Sequence, residues 1–183
     1  MPSWSRIATR SRVPLGFLFA AGYLWFARPT WISVLVGSLI VAVGLGIRTV
    51  ASGHIRKNAQ LAVAGPYAHT RNPLYLGSII MALGFIIASR NLWIGLAAFV
   101  MFLFIYVPVI QAEEGYLRSA FPEYQEYSAQ VPRLWPRLTA YRAGTDDSGP
   151  AFSWELYRRH REYNAVVGSA LMLGALILKM LLV

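Results

Sequence analysis

The chain has 183 residues, 56% of them hydrophobic and 14% charged, with a mean hydropathy of +0.46. Soluble domains run nearer about 45–50% apolar and about 25% charged, so this composition excludes a disordered chain and an ordinary soluble enzyme. The net charge is +9, and the absence of cysteine excludes disulfides, thiolate zinc sites and cysteine nucleophiles.

Taken in chain order, five apolar runs predict membrane helices at about 13–27, 31–50, 73–88, 92–112 and 163–183. Leu92 to Ala112 carries no charge, and at about 1.5 Å per residue a helix of that length crosses a hydrocarbon layer of about 30 Å. The first run is the shortest. Its basic start resembles a signal peptide, but Tyr23-Leu24-Trp25-Phe26 continues the apolar stretch and a second run follows at once, which favours a retained span. In the last run Lys179 lies near the end, where its long stem can reach the interface. Arg28-Pro29-Thr30 and Ser89-Arg90-Asn91 are short connections and predict tight helical hairpins. The other two connections, about 48–72 and 113–162, gather the polar residues on one side. Fourteen of the seventeen basic residues fall there or before the first span, leaving Arg28, Arg90 and Lys179 on the other side. The positive-inside rule then places the N-terminus and both long loops in the cytoplasm and the C-terminus outside. The expectation is a single all-α, five-span membrane domain over 1–183 with a cytoplasmic site. The basic charge belongs with membrane lipids, and no nucleic-acid motif accompanies it. Oligomeric state is not legible.

Within the spans, Ser38, Ala42 and Gly46 recur every fourth residue and predict a helix-contact face. Gly44 and Gly46 leave two readings open, helix packing or cofactor contact. Pro108 predicts a kink in the fourth span. After it, Phe121 to Arg137 is aromatic and of mixed charge, expected on the membrane surface and able to close over a ligand. Residues 142–150 read as a linker, and Phe152 to Tyr163 as one basic, aromatic juxtamembrane helix capped by Ser153.

Two stretches carry chemistry. In the first, Asn72 before Pro73 reads as an N-cap with proline at the first helical position, flanked by Tyr67, Arg71 and Tyr75. Such a helix start suits a carboxylate. The second is Glu113-Glu114, two carboxylates at a helix C-terminal end, which disfavours anions; the placement suggests a task, such as receiving ribose hydroxyls or an ammonium group. Arg71 is the candidate cation for an anionic acceptor, and Glu114 is the spare carboxylate that an amine acceptor would need. These two are the candidate catalytic residues. His54, His69 and His160 lack metal-ligand spacing, so no metal site is expected.

Gly65-Pro66-Tyr67, Arg71-Asn72-Pro73-Leu74-Tyr75-Leu76-Gly77, Glu113-Glu114, Phe121-Pro122-Glu123-Tyr124, Tyr127 and Val131-Pro132-Arg133 together resemble the isoprenylcysteine carboxyl methyltransferase family, whose relatives include phospholipid N-methyltransferases. The resemblance implies S-adenosylmethionine as cofactor. By motif, Gln60, Leu61, Ala62, Tyr67, Asn72, Pro73, Leu74, Tyr75 and Glu113 would line it. It also implies a lipophilic acceptor entering from the bilayer. Gly44 and Gly46 look like the Gly-x-Gly of the phospholipid branch. Asn72 stands where the family usually has His; it can donate a hydrogen bond but cannot titrate near neutral pH. Val109 stands where the isoprenylcysteine branch carries a substrate arginine. The alternatives are an N-methyltransferase acting on phosphatidylethanolamine-type lipids and a non-catalytic membrane scaffold. The sequence favours an uncharged or anionic acceptor slightly, because of the cationic surround.

Overall fold

The computed structural model describes residues 4–56, 60–142 and 151–182, with side chains from residue 14 on. Lys57, most of the expected linker (143–150), Val183 and the side chains of Arg6, Arg10 and Arg12 lie outside the described residues. The described residues are helical, without strands. Helices stand at all five expected places: α1 (Trp4–Phe26), α2 (Trp31–His54), α3 (Pro73–Ser89), α4 (Leu92–Met101) continuing towards α5 (Val107–Ala120), and, after the short α6 (Tyr124–Gln130) and α7 (Trp154–Arg159), α8 (Tyr163–Leu182). Three of these stretches are long and apolar enough to cross a membrane: Trp31–His54, Leu92–Ala120 and Tyr163–Leu182. The apolar part of α1, Pro14–Phe26, and α3 are shorter.

Between α4 and α5 the backbone forms a π turn, Phe102–Tyr106, in which the Val107 N–H reaches back to the Phe102 carbonyl. Pro108 follows after Val107. Proline has no N–H to offer and its ring crowds the carbonyl four residues back, so a widened turn just before it relieves the conflict. The irregularity here is a π turn, lying just before the proline.

The chain divides into two compact units: Met1–Val41, Ala82–Tyr116 and Ser169–Val183 form one, and Ala42–Met81 with Leu117–Gly168 the other. In the first unit, Tyr23, Ala27, Val34, Ala88, Ile94 and Leu176 make the core, so α1, α2, α3, α4 and α8 all contribute to it. Tyr23 donates its hydroxyl to the Phe85 carbonyl at 2.8 Å, which lets a phenol sit in apolar surroundings without an unmet donor. Gly37 faces Gly84: a Cβ on either would come within 2.6 Å of the other's carbonyl oxygen. In the second unit Gly44 and Gly77 meet in the same way, at 2.6 and 2.7 Å. The close-packing face of α2 is thus Gly37 and Gly44, seven residues apart. Ser38, Ala42 and Gly46 lie off it; Ala42 and Gly46 are exposed, and nothing lies within 4 Å of a Cβ at Gly46. Of the two glycines left open by the sequence, Gly44 packs helices and Gly46 does not.

Lys179 does more than reach the interface. Its ammonium donates to the carbonyls of Leu24, Trp25 and Ala27 at 2.7, 3.0 and 2.8 Å. These are the C-terminal carbonyls of α1 and the residue just past it, which have no intrahelical donor and carry the negative end of the helix dipole. Replacing Lys179 with Met keeps the stem and removes all three bonds. A hydrogen bond to a charged group is worth about 1.5–3 kcal/mol, so Lys179→Met should lower the thermal unfolding temperature in detergent while Lys179→Arg retains most of it. An unchanged unfolding temperature for Lys179→Met would mean the three bonds add nothing net.

Candidate functional site

The motif loop begins at Gln60, which is exposed, and passes Leu61 and Ala62, which are half-buried. Gly65 takes a left-handed φ of +58°, and a Cβ there would strike the His54 ring at 2.7 Å. Both requirements select glycine at this turn. Pro66 then opens a 3₁₀ turn, Gly65–Ala68, in which Tyr67 and Ala68 are buried. Thr70 is 2% exposed and Pro73 is fully buried, while Arg71, Asn72, Leu74 and Tyr75 are half-buried.

What fixes this loop is the second quoted stretch, α6 and the irregular chain after it. The Arg71 N–H donates to the Pro132 carbonyl at 2.9 Å, the Arg137 N–H to His69 at 2.9 Å and the Tyr141 N–H to Ala68 at 2.9 Å. Arg133 offers one carbonyl to two side chains, the Thr70 hydroxyl at 3.2 Å and the Asn72 amide at 3.1 Å. The Tyr127 hydroxyl, buried, donates to the Tyr67 carbonyl at 2.7 Å. The Arg71 guanidinium reaches the Tyr124 hydroxyl at 3.3 Å. His69 pairs through Nδ1 with the Arg137 carbonyl at 2.9 Å, a structural use of the ring. Beneath these bonds Tyr124, Tyr127 and Val131 form a buried core on which Leu61, Val63, Leu117, Phe121 and Tyr141 pack. Burial first, and the Glu126 carboxylate second, hold the Tyr141 phenol above its ordinary range, so it stays neutral. Trp135 and Leu138, by contrast, are 83% and 99% exposed.

The loop's strength can be tested at one atom. Tyr127→Phe removes the hydroxyl and leaves the Tyr67 carbonyl buried without that donor. The expected cost is about 1–3 kcal/mol, read as lower thermal stability and as faster proteolysis within 60–75. Wild-type values for both would show that the bond does not hold the loop.

The start of α3 is pinned from another direction. Arg48 on α2 donates to the Leu74 carbonyl and the Ser78 hydroxyl, and pairs with Glu162 at 2.7 Å. Its side chain is 21% exposed and that of Glu162 13%. Sequence reasoning counted Arg48 as loop charge and passed over Glu162. The available signal was an arginine within the apolar run of α2, which calls for a nearby counter-ion. The C-terminal end of α2 also binds the approach to α8: the Ser153 N–H donates to Gly53 at 3.0 Å and His160 Nδ1 pairs with the Ser52 carbonyl at 3.1 Å. Ser153 caps α7 as expected, accepting from the Leu156 N–H at 3.4 Å. The expected single helix over Phe152 to Tyr163 is broken, however, at His160–Glu162, where Arg161 takes a φ of 54°.

Among the remaining candidates, Glu113 and Glu114 lie on α5 and belong to the first unit, whereas Gln60 to Tyr75 belong to the second. Glu114 is turned inward, at 5% exposure, and Glu113 outward. Consecutive helical residues point about 100° apart, so only one of the pair can face the interior. Val109 is buried as well. Among the described residues no group of three His, Asp or Glu side chains could hold a metal ion.

Comparison with known proteins bears on these motifs. The phospholipid methyltransferase family model matches residues 17–124. The chain is 33% identical over 140 residues, 72% of its length, to the cobalt-zinc-cadmium resistance protein CzcN of Cupriavidus metallidurans. It is 28% identical over 122 residues, 62% of its length, to the nickel-cobalt-cadmium resistance protein NccN of Alcaligenes xylosoxydans xylosoxydans. It spans 64% and 56% of those two relatives. No solved structure matches the chain.

Proposed function

The chain belongs to the phospholipid methyltransferase family, and from that premise we propose that it is a membrane enzyme transferring a methyl group from S-adenosylmethionine to a lipophilic acceptor that enters from the bilayer. The observation that carries this reading is the mutual binding of the two motif stretches. Residues 67–72 are held by 124–141 through main-chain and side-chain bonds on both sides. A loop braced in this way supports a binding role more than that of a plain connection.

The donor set fits the cofactor's chemistry. Within the second unit Tyr67 and Tyr75 offer aromatic surface for a purine and Asn72 an amide, which leaves Arg71 for the acceptor. When bound, S-adenosylmethionine supplies an electrophilic methyl on a sulfonium. The chain's own contribution is positioning. Arg48 and Arg133, through Leu74 and Asn72, fix the entry of α3, and holding two reactants in line supplies much of a methyl-transfer rate. Calorimetric titration with S-adenosylmethionine, followed by methyl-label transfer into a total lipid extract read by mass spectrometry, tests the proposal. No heat of binding and no labelled lipid would leave the non-catalytic scaffold as the reading.

An isoprenylcysteine carboxyl methyltransferase-like acceptor is anionic or uncharged. Two observations favour a second reading, an amine-bearing phospholipid: the family match itself and the inward-facing Glu114 on α5, since an amine acceptor needs a carboxylate to take its proton. The relatives' names associate them with metal resistance. Under this proposal a part in such resistance would run through modification of membrane lipid, and would show as metal sensitivity in cells whose copy carries Glu114→Gln.

We further propose five spans with the N-terminus and the site in the cytoplasm and the C-terminus outside. The charge asymmetry supports this. Reporter fusions after Arg90 and after Val183 should both report the outside; a cytoplasmic C-terminal reporter would remove one span, with the shorter α1 or α3 the first candidate.

A further inference from the structure

We propose that the hairpin end of the first unit holds the phosphate group of an anionic phospholipid. A groove of about 880 Å³ opens there, lined among others by Trp25, Arg28, Trp31, Arg90 and Lys179. Three cations border it, and among the described residues no Asp or Glu side chain forms an ion pair with any of them. Lys179 is occupied by the terminal carbonyls of α1, which offset part of its charge, so Arg28 and Arg90 are the main cations of the groove. Arg28 and Arg90 are exposed, and among the described residues neither guanidinium meets an acidic side chain. No described side chain supplies their counter-charge, so an external anion fits the groove.

Arg90 adds a second, independent sign. It holds a φ of 51° just past the end of α3, a position where glycine or asparagine is the unstrained choice. A long cationic side chain kept there, at a conformational cost, points to a use for the charge. α2 and α4 begin at this end while α1, α3 and α8 finish there, so the helix dipoles offset one another and the side-chain cations carry the charge. A lipid is favoured over a soluble anion because the rim is apolar: Trp25, Trp31 and Trp93 are 80%, 62% and 77% exposed, and Leu92 86%. Exposed tryptophans at helix ends mark the headgroup layer, where a guanidinium can pair with a lipid phosphate. The site is separate from the methyl-transfer reading and does not depend on it.

The test uses the full chain in a neutral detergent, titrated separately with phosphatidylglycerol, phosphatidylcholine and inorganic phosphate. Bound species are counted by native mass spectrometry and thermal unfolding is followed in parallel. Phosphatidylglycerol should be retained at concentrations about tenfold below phosphatidylcholine, as one charge-assisted bond allows, and inorganic phosphate should not be retained. Arg28→Gln with Arg90→Asn should abolish the preference. Arg90→Asn alone should leave unfolding in phosphatidylcholine unchanged or higher, because it relieves the left-handed residue, yet lose the shift given by phosphatidylglycerol. Arg158→Gln with Arg159→Gln, on α7, controls for general attraction to basic residues and should leave the preference in place. The proposal is overturned if the double variant keeps the preference, if the α7 control loses it to the same extent, or if inorganic phosphate binds as tightly as the lipid.

Discussion

Glu113→Ala is expected to weaken S-adenosylmethionine binding tenfold to over a hundredfold, while Glu126→Ala leaves it near the wild-type value. Both substitutions remove one carboxylate, so the comparison cancels general effects of charge. A hydrogen bond involving a charged group is worth about 1.5–3 kcal/mol, and each 1.4 kcal/mol is about a factor of ten. Glu113 is exposed on α5, so its loss should cost little in folding and the effect should appear in the binding isotherm with the unfolding temperature preserved. Glu126 lies in the first turn of α6, outside the matched cofactor motif. Equal, small effects would return Glu113 to an interfacial anchor and leave the buried Glu114 as the only carboxylate of the pair with a task.

The helices were readable because long apolar runs have few alternatives: a backbone out of water must satisfy its own hydrogen bonds, and a helix does so within one segment. The errors lie where a second element decides. On α2 alone, i, i+4 spacing picks out Ser38, Ala42 and Gly46. The structure uses Gly37 and Gly44 because α3 presents Gly84 and Gly77 at the matching sevenfold spacing; the signal was a pair of patterns, not one. The break at His160–Glu162 has no glycine or proline to announce it. It coincides with Glu162 pairing to Arg48, 114 residues earlier in the chain. The π turn before Pro108 was half legible: proline demands a distortion, but which turn yields is set by what packs there, and α1 packs against this one. At the candidate site both motif stretches could be picked out, yet nothing in either shows that Pro132, Arg133 and Arg137 bind back to residues 69–72. Main-chain carbonyls do that work, and a carbonyl leaves no trace in the residue types.

Glu114→Gln should lower methyl transfer to an amine-bearing phospholipid by a hundredfold or more, on the order of what a positioned proton acceptor contributes, and should affect an anionic acceptor far less. The reasoning is a balance of charge. An amine attacks only as its free base, and after transfer the nitrogen stays cationic; a neighbouring carboxylate favours both the proton loss and the product. An anionic nucleophile instead cancels the sulfonium charge as the methyl moves, needs no proton acceptor, and is drawn to cations. Glu114 is the one buried carboxylate among the described residues, and glutamine preserves its shape while removing its charge and basicity. Arg71 is the counterpart. Its guanidinium is steadied by Tyr124 at 3.3 Å, and Arg71→Ala should raise KM for an anionic acceptor more than for an amine lipid whose own phosphate can find other partners. Initial rates on phosphatidylethanolamine and on a prenylated thioether carboxylate, measured for wild type and both variants, separate the two. Phosphatidylethanolamine as the better substrate, silenced by Glu114→Gln, selects the phospholipid reading and overturns the slight preference for an anionic acceptor that the basic loops suggest. A prenylated carboxylate as the better substrate, sensitive to Arg71→Ala and indifferent to Glu114→Gln, selects the other and makes Glu114 a structural group of α5.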